Sequence, residues 1–225
     1  MPVTVSFVSQ KGGVGKSTLA RALAVTLEHG GLKVLVADLD PQQGTVVEWA
    51  KLRNARKLKP EIKVRRFKTA DDAIIGGDAA DVLIVDGPAR ASAGTLELAR
   101  HSDLVVQPSG CGLDDLRPAV LLFHELLAAG IGRERLTVAL CRTAGEPEEG
   151  AARRYLHKAK YDVLNTSLPE QVGYREAMNT GAALIESTDG RLNARGQTMM
   201  DELVKKVRAA AAARASRARK EQVRR

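Results

Sequence analysis

Three glycines and two lysines carry the first chemistry that this sequence offers. They lie in the stretch "SFVSQKGGVGKSTLA", from Ser6 to Ala20. Gly12, Gly13 and Gly15 let the backbone turn with its N–H groups pointing at an anion. Lys16 supplies a charge for β and γ phosphates. Ser17 offers a hydroxyl oxygen to Mg²⁺, a hard cation that favours such ligands. Val14 and Thr18 belong to the same cradle, and a helix starting near Lys16 adds its positive end. The spacing is that of G-x-x-x-x-G-K-[ST], except that Gln10 stands where the first glycine belongs. Lys11 is a second lysine, five residues ahead of the one that the pattern requires. These residues imply a site for the phosphates of a nucleotide with Mg²⁺.

Carboxylates at strand ends are the next candidates. Asp86 closes the apolar run "DVLIVD", where an acidic side chain needs a reason. Holding Mg²⁺ through water supplies one, and the Gly87 N–H beside it can sense a γ phosphate. Asp38 and Asp40 follow the apolar run "KVLVA" and share one strand face. Asp38 either holds Mg²⁺ through water or bonds to the neighbouring loop. For an adenine ring the candidates are positional: Cys141 with Arg142 and Thr143 at a strand end, and the loop at Leu168 and Pro169.

Placing these groups requires alternating strands and helices. Strands are expected at 3–9, 33–37, 62–67, 81–86, 104–107 and 136–141, with an extended piece near 163–168. Helices are expected at 17–29, where Leu19, Leu23 and Leu27 recur at four-residue steps, and at 46–56, 114–129, 149–160 and 170–180. A last helix starts near Asn193 and runs into the C-terminal segment. Continuous apolar strands alternating with helices predict an α/β fold: a doubly wound, mainly parallel sheet with helices on both faces. Ligands in such sheets bind at the carboxyl ends of the strands, where the glycine loop falls.

The 225 residues suffice for one sizeable core. Aromatic residues make up 3%, so that core is expected to be Val, Leu, Ile and Ala. No apolar run approaches the roughly 18 residues of a membrane span, and the N-terminus does not read as a signal peptide. Two cysteines, Cys111 and Cys141, suit a reducing cytoplasm. The net charge is +8, and residues 201–225 hold nine Lys or Arg against three Asp or Glu. The expected division is therefore a nucleotide-binding domain at 1–200 and a basic tail at 201–225. The tail's Lys205, Lys206, Arg208, Arg214, Arg217, Arg219 and Lys220 match duplex DNA phosphates. Trp, Phe and Ile are absent from it, which argues against a membrane helix.

"KGGVGKST" resembles the deviant Walker A motif of the ParA/MinD ATPases. "KVLVADLDPQQGT" (33–45) and "ADVLIVDGPA" (80–89) resemble that family's second motif and Walker B strand. "LVVQPSGCGLDDL" and "PEQVGYREAMNTGAALIESTDG" are similar to small ParA proteins of the ParF type. The resemblance implies that Lys11 reaches a partner subunit's nucleotide in an ATP-bound homodimer. It implies that Asp40 positions the attacking water, making Lys11, Lys16 and Asp40 the catalytic set. It further implies DNA segregation at the nucleoid with a ParB-type centromere-binding partner. A protein cargo, a membrane-associated MinD-like role and an iron–sulfur role are the alternatives.

Overall fold

The computed structural model describes residues 1–40, 44–88 and 93–223. Five strands form the interior of the sheet: β1 (Val3–Phe7), β2 (Val34–Asp38), β4 (Val82–Asp86), β5 (Leu104–Ser109) and β6 (Leu136–Thr143). Three shorter ones complete it: β3 (Lys63–Arg66), β7 (Asp162–Val163) and β8 (Leu168–Pro169). The order is β3-β2-β4-β1-β5-β6-β7, with β8 on β6, and every pair is parallel. The register sets Phe7 opposite Asp86 and Asp38 opposite Asp86. Three strand ends thus finish level, at the mouth where the glycine loop leaves β1.

Each strand is apolar on both faces because helices cover both. One face meets α1 (Lys16–His29), α2 (Thr45–Ala55), α7 (Val172–Asn179) and α8 (Gly190–Val223). Val5, Phe7, Val36 and Ile84 pack there against Leu19, Leu23, Leu27 and Trp49. The other face meets α3 (Ala70–Gly76), α4 (Ala93–His101), α5 (Leu113–Ala128) and α6 (Glu146–Lys158). Leu35, Leu83, Val85 and Val105 pack there against Leu98, Phe123, Leu126 and Leu156. Alternate residues of one strand serve opposite cores, as the two-residue period requires.

Two helices, α3 and α4, were not anticipated from the sequence. A cap marks the first: the Asp72 N–H donates to Thr69 Oγ1 at 3.1 Å, with Asp71 and Asp72 in the opening turn. The expected boundary at 200/201 falls inside α8, which runs unbroken from Gly190 to Val223. Met199, Met200, Leu203 and Val207 are buried against the α1 face, so residues 201–207 belong to the body. Lys206 pairs with Asp162 at 2.7 Å. Arg214 and Arg217 both reach Asp103, at 2.8 and 3.1 Å, and Arg214 also bonds the Pro2 carbonyl. Three of the seven cations assigned to DNA are therefore engaged within the chain.

A buried guanidinium fastens the flank of the sheet. Arg53 of α2 is fully buried and forms a two-pronged pair with Glu186, at 2.7 and 2.9 Å. Its remaining donors meet the carbonyls of Lys59, Pro60 and Gly181. Removing one partner of such a pair leaves buried acceptors unmet, which costs about 3–5 kcal/mol. Arg53→Ala is expected to lower the unfolding free energy by about that amount in urea titration. An unchanged midpoint would show that the clamp contributes nothing.

Candidate functional site

The loop between β1 and α1 owes its shape to Gly13 (φ +73°) and Gly15 (φ +112°), conformations that side chains resist. Val14 turns its side chain into the core, so only its backbone faces the loop. The Lys16 ammonium is buried and donates to the Lys11 carbonyl at 3.4 Å. Burial lowers its pKa, while Asp86 and Asp40 nearby work the other way.

Ser17 Oγ donates to Asp86 Oδ2 at 2.6 Å. The other Asp86 oxygen, Oδ1, is buried and has no hydrogen-bond partner. Burial pushes this carboxyl up to about 7, the Ser17 bond opposes the rise, and Asp38 adds to it. An unmet buried oxygen beside a hydroxyl is an arrangement that a hard divalent cation fits.

Asp38 is fully buried, and its oxygens accept backbone N–H groups from Asp40 (3.0 Å), Val46 (3.2 Å) and Val47 (3.4 Å). It therefore anchors the start of α2, which is the loop-bonding alternative of the two read from the sequence. Oδ1 accepts a single one of these bonds and Oδ2 the other two. Gly87 departs from expectation. Its N–H donates to the Phe7 carbonyl at 3.0 Å, so it is not free to meet a phosphate in this conformation. A Cβ at Gly87 would come within 2.7 Å of that same oxygen, which explains the glycine. Pro41, Gln42, Gln43 and Ala89 of the quoted motifs lie outside the described residues.

A cavity of about 340 Å³ gathers Gly12, Gly13, Gly15, Lys16, Ser17 and Thr18 with Asp40, Asp86 and Gly87. A second cavity of about 340 Å³ adjoins it, sharing Gly13, Gly15, Thr18, Arg175 and Met178. Cys141, Arg142, Leu168 and Pro169 line this second space, whereas Thr143 does not. Arg142 also donates to the Gly13 carbonyl at 3.3 Å, tying the two spaces together. Lys11 stands apart: its ammonium is partly exposed and pairs with Asp115 of α5 at 3.3 Å.

Sequence reasoning missed Arg21, Thr45, Arg175, Met178 and Asn179, all of which line the first cavity. Arg21 lies one helical turn beyond Ser17, a spacing that puts both on one side of α1. It donates to the Thr45 carbonyl at 2.6 Å and lies 5.5 Å from the Trp49 ring. Burial lowers its pKa to about 10, against the pull of Asp86 and Asp38. Arg175, Met178 and Asn179 share one face of α7 by the same periodicity.

A carboxyl whose folded pKa is raised costs stability once it ionises. The folded form then binds more protons than the unfolded chain, so stability falls as pH rises between the two values. For the metal-free and nucleotide-free protein, stability is expected to decline from about pH 4 to about pH 7 on account of Asp86. Asp86→Asn is expected to flatten that decline. Thermal midpoints across the pH range test this, and an unaltered profile in the variant would refute it.

Known proteins resemble this chain in sequence and fold. Residues 5–212 match the family model described as the CobQ/CobB/MinD/ParA nucleotide binding domain. Protein ParA of Rhizobium radiobacter is 28% identical over 193 residues, covering 83% of this chain and 77% of that protein. The iron-sulfur cluster carrier protein of Pseudomonas fragi is 28% identical over 219 residues, covering 79% and 76%. The septum site-determining protein MinD of Pyrococcus horikoshii, solved with Mg-ADP, superposes with a TM-score of 0.73 at 18% identity, covering 90% of this chain and 96% of that one. The chain belongs to the CobQ/CobB/MinD/ParA family of nucleotide-binding domains and is one of its ATPases.

Proposed function

We propose that this ATPase is a nucleotide-gated dimer that holds double-stranded DNA and serves DNA segregation. The observation that carries the reading is the division of labour between two lysines of one loop. Lys16 is buried in its own cavity, while Lys11 is outside it, with a 41% exposed side chain against Asp115. A cation so placed suits a neighbour's triphosphate. Each γ phosphate of a dimer would then meet charge from both chains, and hydrolysis would remove what holds them together.

Ser17 and the unpartnered oxygen of Asp86 would hold Mg²⁺, the latter through water. The ion supplies charge neutralisation across the β and γ phosphates. The glycine-loop N–H groups and Lys16 orient the phosphates. Asp40, at the carboxyl end of β2 and lining the same cavity, orients the attacking water. Such transfer depends on positioning and charge more than on a strong base. Arg142 and Pro169, in the adjoining space, would border the adenine.

The named relative ParA supports a segregation role, with a ParB-type centromere-binding protein as activator. Membrane attachment through α8 finds no support. Its Met199, Met200, Leu203 and Val207 are spent in the core, and among the described residues no helix is long and apolar enough to cross a membrane. An iron–sulfur role would have to draw on Cys111 and Cys141, and both are buried.

Retention on duplex DNA with ADP, ATP and a non-hydrolysable analogue, across a salt series, tests the whole reading. ATP-dependent, salt-sensitive retention is expected, and indifference to nucleotide would overturn it. Lys11→Ala is expected to bind ATP yet dimerise at least roughly tenfold more weakly by light scattering. Asp40→Ala is expected to bind ATP and dimerise while turning over on the order of a hundredfold more slowly. Normal turnover in that variant would remove Asp40 from its role.

A further inference from the structure

The first 200 residues look nearly neutral, but they conceal a separation of charge. From Lys51 to Lys68 nine Lys or Arg stand against one carboxylate, Glu61. That surplus equals the net charge of the whole chain, +8. Apart from this segment and residues 201–225, the remaining residues carry more acid than base.

The fold brings the segment onto one flank: the last turn of α2, the turn at 56–60 and β3. β3 is a sheet edge, with β2 as its neighbour. The buried Arg53 clamp grips the turn through the carbonyls of Lys59 and Pro60, so the turn has a fixed shape. Arg56, Lys57 and Lys59 are exposed on it. Lys63, Arg65 and Arg66 are exposed on the strand, and Lys51 and Lys68 are exposed at either end. Lys51 pairs with Glu48, and Arg65 lies 5.0 Å from the Phe67 ring. Among the described residues the other six form no ion pair. A groove of about 550 Å³ runs beside the strand, with Lys33, Lys51, Lys63 and Arg65 in its walls and Glu61 as its one carboxylate.

Unpaired like charges at this density repel one another, and a polyanion relieves the repulsion. Edge strands also carry cations to prevent pairing with other edges. That use accounts for Lys63 and Arg65 but not for Arg56, Lys57, Lys59 and Lys68, which lie off the strand. The side chains of Lys63 and Arg65 share a strand face, about 6.6 Å apart along it. Successive phosphates of one DNA strand rise about 3.4 Å along the axis, so this spacing is about two phosphate steps. Contacts of this kind position a duplex without reading its sequence. In α8, by contrast, Lys206, Arg214 and Arg217 already have carboxylate partners.

We infer that the β3 edge and the 56–60 turn form the principal DNA-backbone surface of this protein, with α8 as the minor one. The inference rests on the DNA-holding reading above. The test compares three full-length proteins on random-sequence duplex, with Mg²⁺ and a non-hydrolysable ATP analogue, across a salt series. They are the natural chain, an edge variant (Arg56→Gln, Lys57→Gln, Lys63→Gln, Arg65→Gln) and a tail variant (Arg208→Gln, Arg219→Gln, Lys220→Gln). The edge variant is expected to lose roughly tenfold or more in affinity. Its slope of log K on log salt should become shallower by about 0.9 for each contact removed. The tail variant should lose less. ATP binding and the unfolding midpoint certify the fold, and Lys57→Glu with Arg65→Glu repeats the test with two changes. An edge variant that binds like the natural chain overturns the assignment, as does one that only self-associates. If the natural chain itself is not retained, the DNA-holding reading falls, and this surface with it.

Discussion

An ionisable carboxyl at the floor of the phosphate cavity is the constraint around which this molecule is arranged. Asp86 ends a central strand, is almost wholly removed from water, and keeps one oxygen without a partner. Such a group is tolerated only beside compensating charge. Lys16 and Arg21 of α1 supply it, and Ser17 satisfies the other oxygen. The parallel register then has a chemical purpose. It sets the ends of β1, β2 and β4 level, so that the loop and Asp86 face one space while Asp38 is buried beside them. Asp38 is the partner of Asp86 in register, and its Oδ2 also holds the start of α2 through the Val46 and Val47 N–H groups.

The sheet and the phosphate loop were legible because their signals are local. Continuous apolar strands mark burial on both faces, and the glycine–lysine spacing marks a turn that few other functions require. What escaped notice was tertiary. Arg21 reads as an ordinary helix residue until α2 and Trp49 close over it. Arg175, Met178 and Asn179 reach the cavity only because α7 folds back beside the loop. The Gly87 N–H looked available because the sequence does not reveal how closely β1 approaches it. The tail looked like a separate basic segment because composition weighs all lysines and arginines equally. Asp103, far away in sequence, is what binds Arg214 and Arg217 to the body.

Charge counted along a chain and charge arranged on a surface are thus different quantities. The same chain holds a buried arginine that braces a turn and exposed cations on that turn whose neighbours are of like sign. Only the fold separates the two populations. Arg53 and Glu186 join the edge of the sheet to the segment before α8, so the basic flank shares its bracing with the C-terminal half.

Cys141 lies directly under the phosphate loop. A Cβ placed on Gly15 would stand 3.4 Å from its sulfur. Gly15 is therefore held to glycine by its own dihedral angle and not by want of room, since that distance is ordinary van der Waals contact. Any side chain at position 15 would distort the turn from within the main chain, and the sulfur beneath would be a bystander.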